Sequence, residues 1–222
     1  MRKTLGRLKR KIESLFLDST AKRHSLVGSP KLWKQKREFQ IGFLKEQGLS
    51  PEHYILDLGC GTLRGGMPII EYLETGHYFG IDVRPEVLVE ARKELADAGM
   101  DGKEPTLVTQ EQSDSIPGER FDFIWAFSVL IHMDDSALAR AMGLVQRCIA
   151  RDGVFLANVN LGVGEELEWQ GFPVVRRPYE FYRDSAAKVG LSVEDLGALK
   201  DLGHHSGMPS QDAQHMLRFT RG

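Results

Sequence analysis

The sequence predicts an α/β fold: a doubly wound, mostly parallel sheet preceded by a helical N-terminal appendage. Two observations carry this expectation. Short apolar runs alternate with segments of helical periodicity between residues 53 and 160, and such alternation builds a sheet with helices on both faces. The first run, Tyr54-Ile55-Leu56-Asp57-Leu58, breaks into Gly59-Cys60-Gly61-Thr62 before a helix-compatible stretch over 64–73. A buried parallel strand delivering its C-terminal end to a nucleotide-like ligand has this layout. The glycines let the backbone approach the ligand, and the next helix offers free N–H groups.

Strands are expected at 53–58, 77–82, 105–109, 121–126 and 153–160, with helices at about 64–73, 85–98 and 135–150. Strand two, His77-Tyr78-Phe79-Gly80-Ile81-Asp82, ends in an acid about twenty residues after the glycine turn. A carboxylate there accepts two hydrogen bonds from a ribose diol. Pro85 stands where a helix's first turn tolerates proline. Asp134 and Asp135 are N-cap candidates for the helix carrying Leu138, Met142, Val145 and Ile149. Arg151-Asp152-Gly153 reads as the turn into strand five. Residues 161–177 form a long, weakly patterned connection with Gly162, Gly164, Gly171 and Pro173. A helix over about 178–189, a strand near 191–197 and a last strand near 214–220 follow.

Composition sets bounds. The chain has 222 residues, 41% hydrophobic and 27% charged, with a formal net charge of −2. That is enough chain for one full core, and the charge does not suggest bulk nucleic-acid binding. Cys60 and Cys148 make neither a disulfide framework nor a zinc cluster, which points to a reducing compartment. With no apolar run of transmembrane length and no secretion signal, a cytoplasmic location is expected. Residues 2–23 are basic, and Leu5, Leu8, Ile12 and Leu15 recur at helical spacing. Such an amphipathic helix attaches to an anionic membrane surface or acidic partner, or packs its apolar stripe onto the domain. A second amphipathic helix spans 31–44, with Trp33, Lys36/Arg37 and Gln40 one turn apart along one side.

Ile55-Leu56-Asp57-Leu58-Gly59-Cys60-Gly61 resembles the first motif of the class I S-adenosylmethionine-dependent methyltransferase family, of small-molecule type. Gly80-Ile81-Asp82 is similar to that family's ribose-binding acidic loop. Phe121-Asp122-Phe123-Ile124-Trp125 and Phe127-Ser128-Val129-Leu130-Ile131-His132 are similar to its fourth strand and active-site loop. The resemblance runs from about Gln40 to the C-terminus. It implies a Rossmann-like, seven-stranded sheet whose last strand enters antiparallel. Residues 49–222 would form the domain and 1–48 an appendage or lid.

The resemblance also implies S-adenosyl-L-methionine as cofactor. Gly59 and Gly61 would line its methionine and ribose portion, Asp57 would lie near its ammonium, and Asp82 would take the ribose. Cys60, Val83, Phe127 and Ser128 count as further cofactor contacts. Related enzymes use a pre-sheet helix as a lid, which gives Arg37 or Gln40 the cofactor carboxylate; packing by Trp33, Phe39 and Phe43 is the alternative. Arg64 departs from the usual continuation of the motif. It reads as a partner for a cofactor or substrate carboxylate, or as a helix-surface charge. The adenine contact is expected within 110–114, without a particular residue.

A sulfonium makes its methyl group electrophilic, so transfer needs an oriented, desolvated nucleophile, and an alcohol must also lose its proton. His132 is the candidate base, with a structural role as the alternative. His204 and His205 lie in a loop that can border the acceptor pocket, but surface histidines fit there too. No metal is expected, because Val129, Leu130 and Ile131 before His132 are not the carboxylates a hard cation prefers. Glu165, Glu166, Glu168, Trp169, Phe172, Tyr179 and Tyr182 lie where the acceptor is usually walled. No Asn-Pro-Pro-Tyr-like run follows strand four; in the family, that run accompanies methylation of planar amino groups. The expectation is therefore O-methylation of a hydroxylated metabolite, sugar or natural product. The competing readings are a non-catalytic cofactor-binding scaffold and an NAD-dependent oxidoreductase. Thr62-Leu63-Arg64 speaks against the second, since a third glycine is missing there.

Overall fold

The computed structural model describes residues 23, 26, 32–164 and 167–222. The basic helix expected over 2–23 falls outside these residues apart from Arg23. Helix α1 (Trp33–Glu46) leads into β1 (Ile55–Leu58), α2 (Gly66–Tyr72), β2 (Tyr78–Asp82), α3 (Pro85–Asp97) and β3 (Thr106–Thr109). Then come β4 (Phe121–Ala126), α4 (Asp135–Cys148) and β5 (Ile149–Val159). A hairpin of β6 (Leu167–Trp169) and β7 (Phe172–Val174) precedes α5 (Tyr179–Ala187), β8 (Leu191–Ala198), the single turn α6 (Pro209–Asp212) and β9 (His215–Arg221).

Seven strands make one sheet in the order β3-β2-β1-β4-β5-β9-β8. β1 to β5 pair in parallel, and β9 slots antiparallel between β5 and β8. The seven-stranded, mostly parallel sheet with an antiparallel last strand is thus present. All four residues of β1 are buried, as expected for a central strand covered on both faces. Side-chain alternation sends Ile55, Tyr78, Trp125 and Leu156 to a core beneath α1, α2 and α3. Leu56, Ile124, Phe155 and Leu217 face the opposite core, beneath α4 and α5. The crossovers therefore cover both faces, and the C-terminal ends of β1, β2 and β4 are left at one open edge.

Local signals explain most boundaries. Pro85 opens α3, and the Asp134 carboxylate caps α4 by accepting from the Ala137 N–H at 2.7 Å. β5 starts at Ile149, four residues before expectation. Arg151-Asp152-Gly153 is not a turn into the strand but an irregularity within it, opposite a register shift between Phe121 and Phe123. A β-carbon on Gly153 would stand 2.6 Å from the Phe121 carbonyl oxygen, so this close approach needs glycine.

The hairpin β6–β7 was not expected from the sequence. Its two-residue turn, Gln170-Gly171, has φ of 51° and 88°, the left-handed pair that suits a tight hairpin. Arg23 is buried against α3, paired with Glu90 at 3.3 Å, Glu94 at 3.2 Å and Asp97 at 3.0 Å. Among the described residues, no helix is long and apolar enough to cross a membrane.

Candidate active site

β1 hands the chain to a turn in which Gly59 and Gly61 have φ of 69° and 57°, backbone that side chains rarely tolerate. The Gly59 and Cys60 N–H groups donate to the Ile81 carbonyl at 2.7 and 3.0 Å, which fastens the turn to β2. A β-carbon on Gly59 would stand 2.5 Å from Val129 Cγ2, so the turn also abuts the loop after β4. Asp82 is buried at the end of β2. Its Oδ2 accepts the Gly61 N–H at 3.1 Å, and its Oδ1 accepts the Arg84 N–H at 2.9 Å and Nε at 3.4 Å. Oδ2 carries one protein hydrogen bond and keeps a lone pair for a ligand hydroxyl. Val83, next to it, is exposed.

Gln40, Asp57, Gly59, Cys60, Gly61, Arg64, Gly65 and Phe127 line one cleft with about 290 Å³ of empty volume. Seven sequence-predicted cofactor residues thereby share a wall. Arg37 is half-exposed, whereas Lys36 beside it is buried. Gln40 Oε1 accepts the Trp125 indole N–H at 3.0 Å, and its Nε2 donates to the Lys36 carbonyl at 3.1 Å. Asp57 accepts the Tyr78 hydroxyl at 2.6 Å. Burial raises the Asp57 carboxyl to about 7, with the Tyr78 hydrogen bond opposing. Burial lowers Arg64 to about 10, with the charge of Asp57 opposing. Burial also pushes the Cys60 thiol well up, so it remains a thiol rather than a nucleophile.

Two non-glycine residues at this edge hold left-handed backbone: Leu63 at φ 62° and Ser128 at φ 63°. Such strain persists only where the surroundings over-determine it. For Ser128 the cause is a chain of buried amides that sequence reasoning missed. Asn158 Oδ1 accepts the Ser128 N–H at 2.6 Å, and Asn158 Nδ2 donates to Gln214 Oε1 at 2.5 Å. Gln214 Nε2 donates to Asn160 Oδ1, and Asn160 Nδ2 to the Val175 carbonyl, both at 3.1 Å. The signal was the polar alternation Asn158-Val159-Asn160 closing an otherwise apolar strand. Asn158→Leu strands the part-buried Ser128 N–H and the buried Gln214 amide. It is expected to cost about 2–3 kcal/mol in urea unfolding; unchanged stability would dissolve this account of the loop.

His132 sits in a single 3-10 turn, Leu130–His132, directly after β4. Its Nδ1 lies 2.9 Å from the Pro173 carbonyl of β7. A carbonyl only accepts, so Nδ1 holds the proton and Nε2 is the basic nitrogen. The ring stacks on Trp169 at 5.2 Å and lies beside Phe172. Burial lowers its pKa, and the Pro173 hydrogen bond opposes. The hairpin therefore roofs His132, and Phe172 also lies under the Arg84 guanidinium at 5.7 Å. Of the expected acceptor wall, Trp169 and Phe172 are here. Tyr182 is instead buried in the sheet core, and the Tyr179 hydroxyl donates to the Val193 carbonyl at 2.8 Å. Glu165 and Glu166 lie outside the described residues.

The two loop histidines part company. His205 is exposed, and its carbonyl accepts from Gln35 Nε2. His204 is 1% exposed, with Nδ1 3.0 Å from Asp212 Oδ1 and its ring against Phe39 and Phe127. Among the described residues, no three or more His, Cys, Asp or Glu side chains gather to hold a metal ion.

Comparison with known proteins agrees with this geometry. Magnesium protoporphyrin IX methyltransferase from Synechocystis PCC 6803, with bound S-adenosylhomocysteine, superposes with a TM-score of 0.65 at 16% identity. That match covers 96% of this chain and 100% of the other. An S-adenosylmethionine-dependent methyltransferase from Clostridium acetobutylicum ATCC 824 gives 0.63 at 14% identity, over 100% and 99%. The glycopeptide N-methyltransferase MtfA gives 0.62 at 18%, over 82% and 89%. At such identities the likeness shows the fold. Residues 56–155 in addition match a methyltransferase-domain family model. That stretch contains the glycine turn, Asp82, the β4 loop and His132, so over these residues the chain is similar to a methyltransferase domain.

Proposed function

We propose that this methyltransferase acts on an oxygen of a small hydroxylated acceptor, with His132 as the base. The observation that carries this is the fixed tautomer of His132 at the end of β4, beneath Trp169 and Phe172. The cleft fits S-adenosylmethionine: glycine backbone where a side chain would clash, Asp82 with acceptor capacity for a diol, and buried cations toward the α1 end. When bound, the cofactor supplies an electrophilic methyl group. The chain's own part is to orient, exclude water and accept a proton. Asp82 accepts the ribose hydroxyls, and Gly59 and Gly61 admit the ligand against the backbone. Lys36 and Gln40 place α1 over one end, which supports reading residues 1–48 as a lid. Trp169 and Phe172 give the acceptor an apolar face and keep water from His132. His132 Nε2 would take the proton that the acceptor hydroxyl gives up when the methyl group passes from the sulfonium to its oxygen and the cofactor leaves as the thioether.

Calorimetric titration with S-adenosylhomocysteine, with NAD in parallel, tests the cofactor part; micromolar binding of the first alone is expected. A screen of hydroxylated small molecules against matched amines then tests the acceptor. Methylation of amines alone would replace the oxygen reading. Binding without turnover across both sets would favour a scaffold.

A further inference from the structure

We propose that Gln214, immediately before β9, is a positioning residue that holds His132 in its Nδ1–H form by bracing the loop after β4 at both ends. Its value to methyl transfer rests on the reading of His132 as the base; the bracing itself is read from hydrogen bonds.

Residues two apart on a strand share a face of the sheet. On the face beneath α1, α2 and α3, β5 contributes Val154 and Leu156 to the core, and β9 contributes Met216. Toward the open edge that apolar stripe gives way to Asn158, Asn160 and Gln214, which are 0%, 6% and 6% exposed. Asn158 lies opposite Met216 in the antiparallel pair, which brings Gln214 level with Asn160. Three buried amides cost stability unless each is bonded, whereas aliphatic side chains would bury the same area without that cost. Each amide here is bonded through both its oxygen and its nitrogen.

The two ends of this chain fix its polarity. The Ser128 N–H only donates, so Asn158 turns its oxygen to it and its Nδ2 to Gln214 Oε1. The Val175 carbonyl only accepts, so Asn160 turns Nδ2 to it and Oδ1 to Gln214 Nε2. Both ends lead to His132. Ser128, at φ 63°, opens the turn toward it. Val175 donates its own N–H to the Ile131 carbonyl at 2.9 Å, and Pro173, two residues earlier, accepts from His132 Nδ1. Gln214 bonds to both asparagines and so joins the two grips. Its backbone is pinned in turn, its carbonyl by the Leu199 N–H at 2.7 Å and its N–H on the Gln211 carbonyl at 3.1 Å. A buried polar chain with every member bonded selects one arrangement of the loop.

The test needs neither cofactor nor acceptor. Nitrogen-15 spectra of the histidine rings in the full chain distinguish Nδ1–H from Nε2–H, and His132→Gln assigns the signal. Once its ring is neutral, the wild type should show the Nδ1–H form. Gln214→Leu continues the apolar stripe and removes both hydrogen bonds. Its ratio of Nδ1–H to Nε2–H should fall about three- to tenfold, the population equivalent of one protein hydrogen bond. Asn160→Ala spares the Ser128 grip and releases Val175, and its ratio should move in the same direction. A wild-type ring in the Nε2–H form would overturn the proposal. So would a wild-type ratio in folded Gln214→Leu, even with a lowered melting temperature, since Gln214 would then be structural only. If Gln214→Leu does not fold, a wild-type ratio in Asn160→Ala overturns the proposal, because the route from Gln214 to Pro173 runs through Asn160. Undiminished methyl transfer in His132→Ala would remove the base and leave these ratios as they are, so the two readings fail separately.

Discussion

Replacing His132 by alanine is expected to lower turnover by about 100-fold or more while leaving S-adenosylhomocysteine affinity within about twofold, the usual scale for a lost general base. The ring is placed by two independent constraints, the Pro173 carbonyl on Nδ1 and the stacking face of Trp169. Its Nε2 therefore presents a lone pair in a defined direction. Burial keeps the ring neutral below its ordinary range, so wild-type turnover should be flat from neutral pH upward and fall only on acidification. His132→Gln keeps much of the packing without a comparable base, and it should be as slow as alanine. Single-turnover methyl transfer, measured beside calorimetric affinity, separates the outcomes. A loss of cofactor affinity in either variant would make His132 a cofactor contact instead.

Asp82→Ala is expected to weaken S-adenosylhomocysteine by about 10- to 100-fold, because hydrogen bonds to a charged acceptor are worth roughly 1.5–3 kcal/mol. The carboxylate has two tasks. In the proposed role it offers acceptors to a ribose diol, and it already holds the Gly61 N–H and the Arg84 backbone and guanidinium. The variant therefore loses a ligand contact and loosens the glycine turn. Asp82→Asn separates these tasks, since its single carbonyl oxygen can retain only one side of the bridge. Unchanged affinity in a folded alanine variant would remove Asp82 from the ribose role.

Much of this site was legible because backbone geometry dictates its chemistry locally. Gly59 and Gly61 announce a turn that side chains cannot make, and Asp57 and Asp82 close runs whose apolar character marks central strands. The antiparallel last strand was legible only through the family resemblance, since nothing in residues 214–220 itself encodes direction. Other features depended on partners far away in sequence. Neighbours on a helix differ by about 100° in direction, and periodicity alone did not decide between Lys36 and Arg37. The structure buries Lys36 and leaves Arg37 half-exposed. His204 stayed open between the acceptor pocket and the surface because Asp212 and Ser206, which hold it, lie in a segment without periodicity. The β6–β7 hairpin escaped because its strands have three residues each and Gln170-Gly171 is a weak turn signal.

Arg84 has a wider reach than its place beside Asp82 suggests. Its guanidinium donates to Asp82 through Nε, to the Leu26 carbonyl through Nη1 at 3.2 Å, and lies over Phe172 of the hairpin. One rotamer thus joins Asp82 at the end of β2, the Leu26 carbonyl and the roof over His132. Thermodynamic reciprocity then applies to all three. Any coupling between two of them would be reciprocal for that pair, with a size set by that pair's own contacts. Loss of the Arg84 guanidinium would therefore be felt at Asp82, at the Leu26 carbonyl and at Phe172 together.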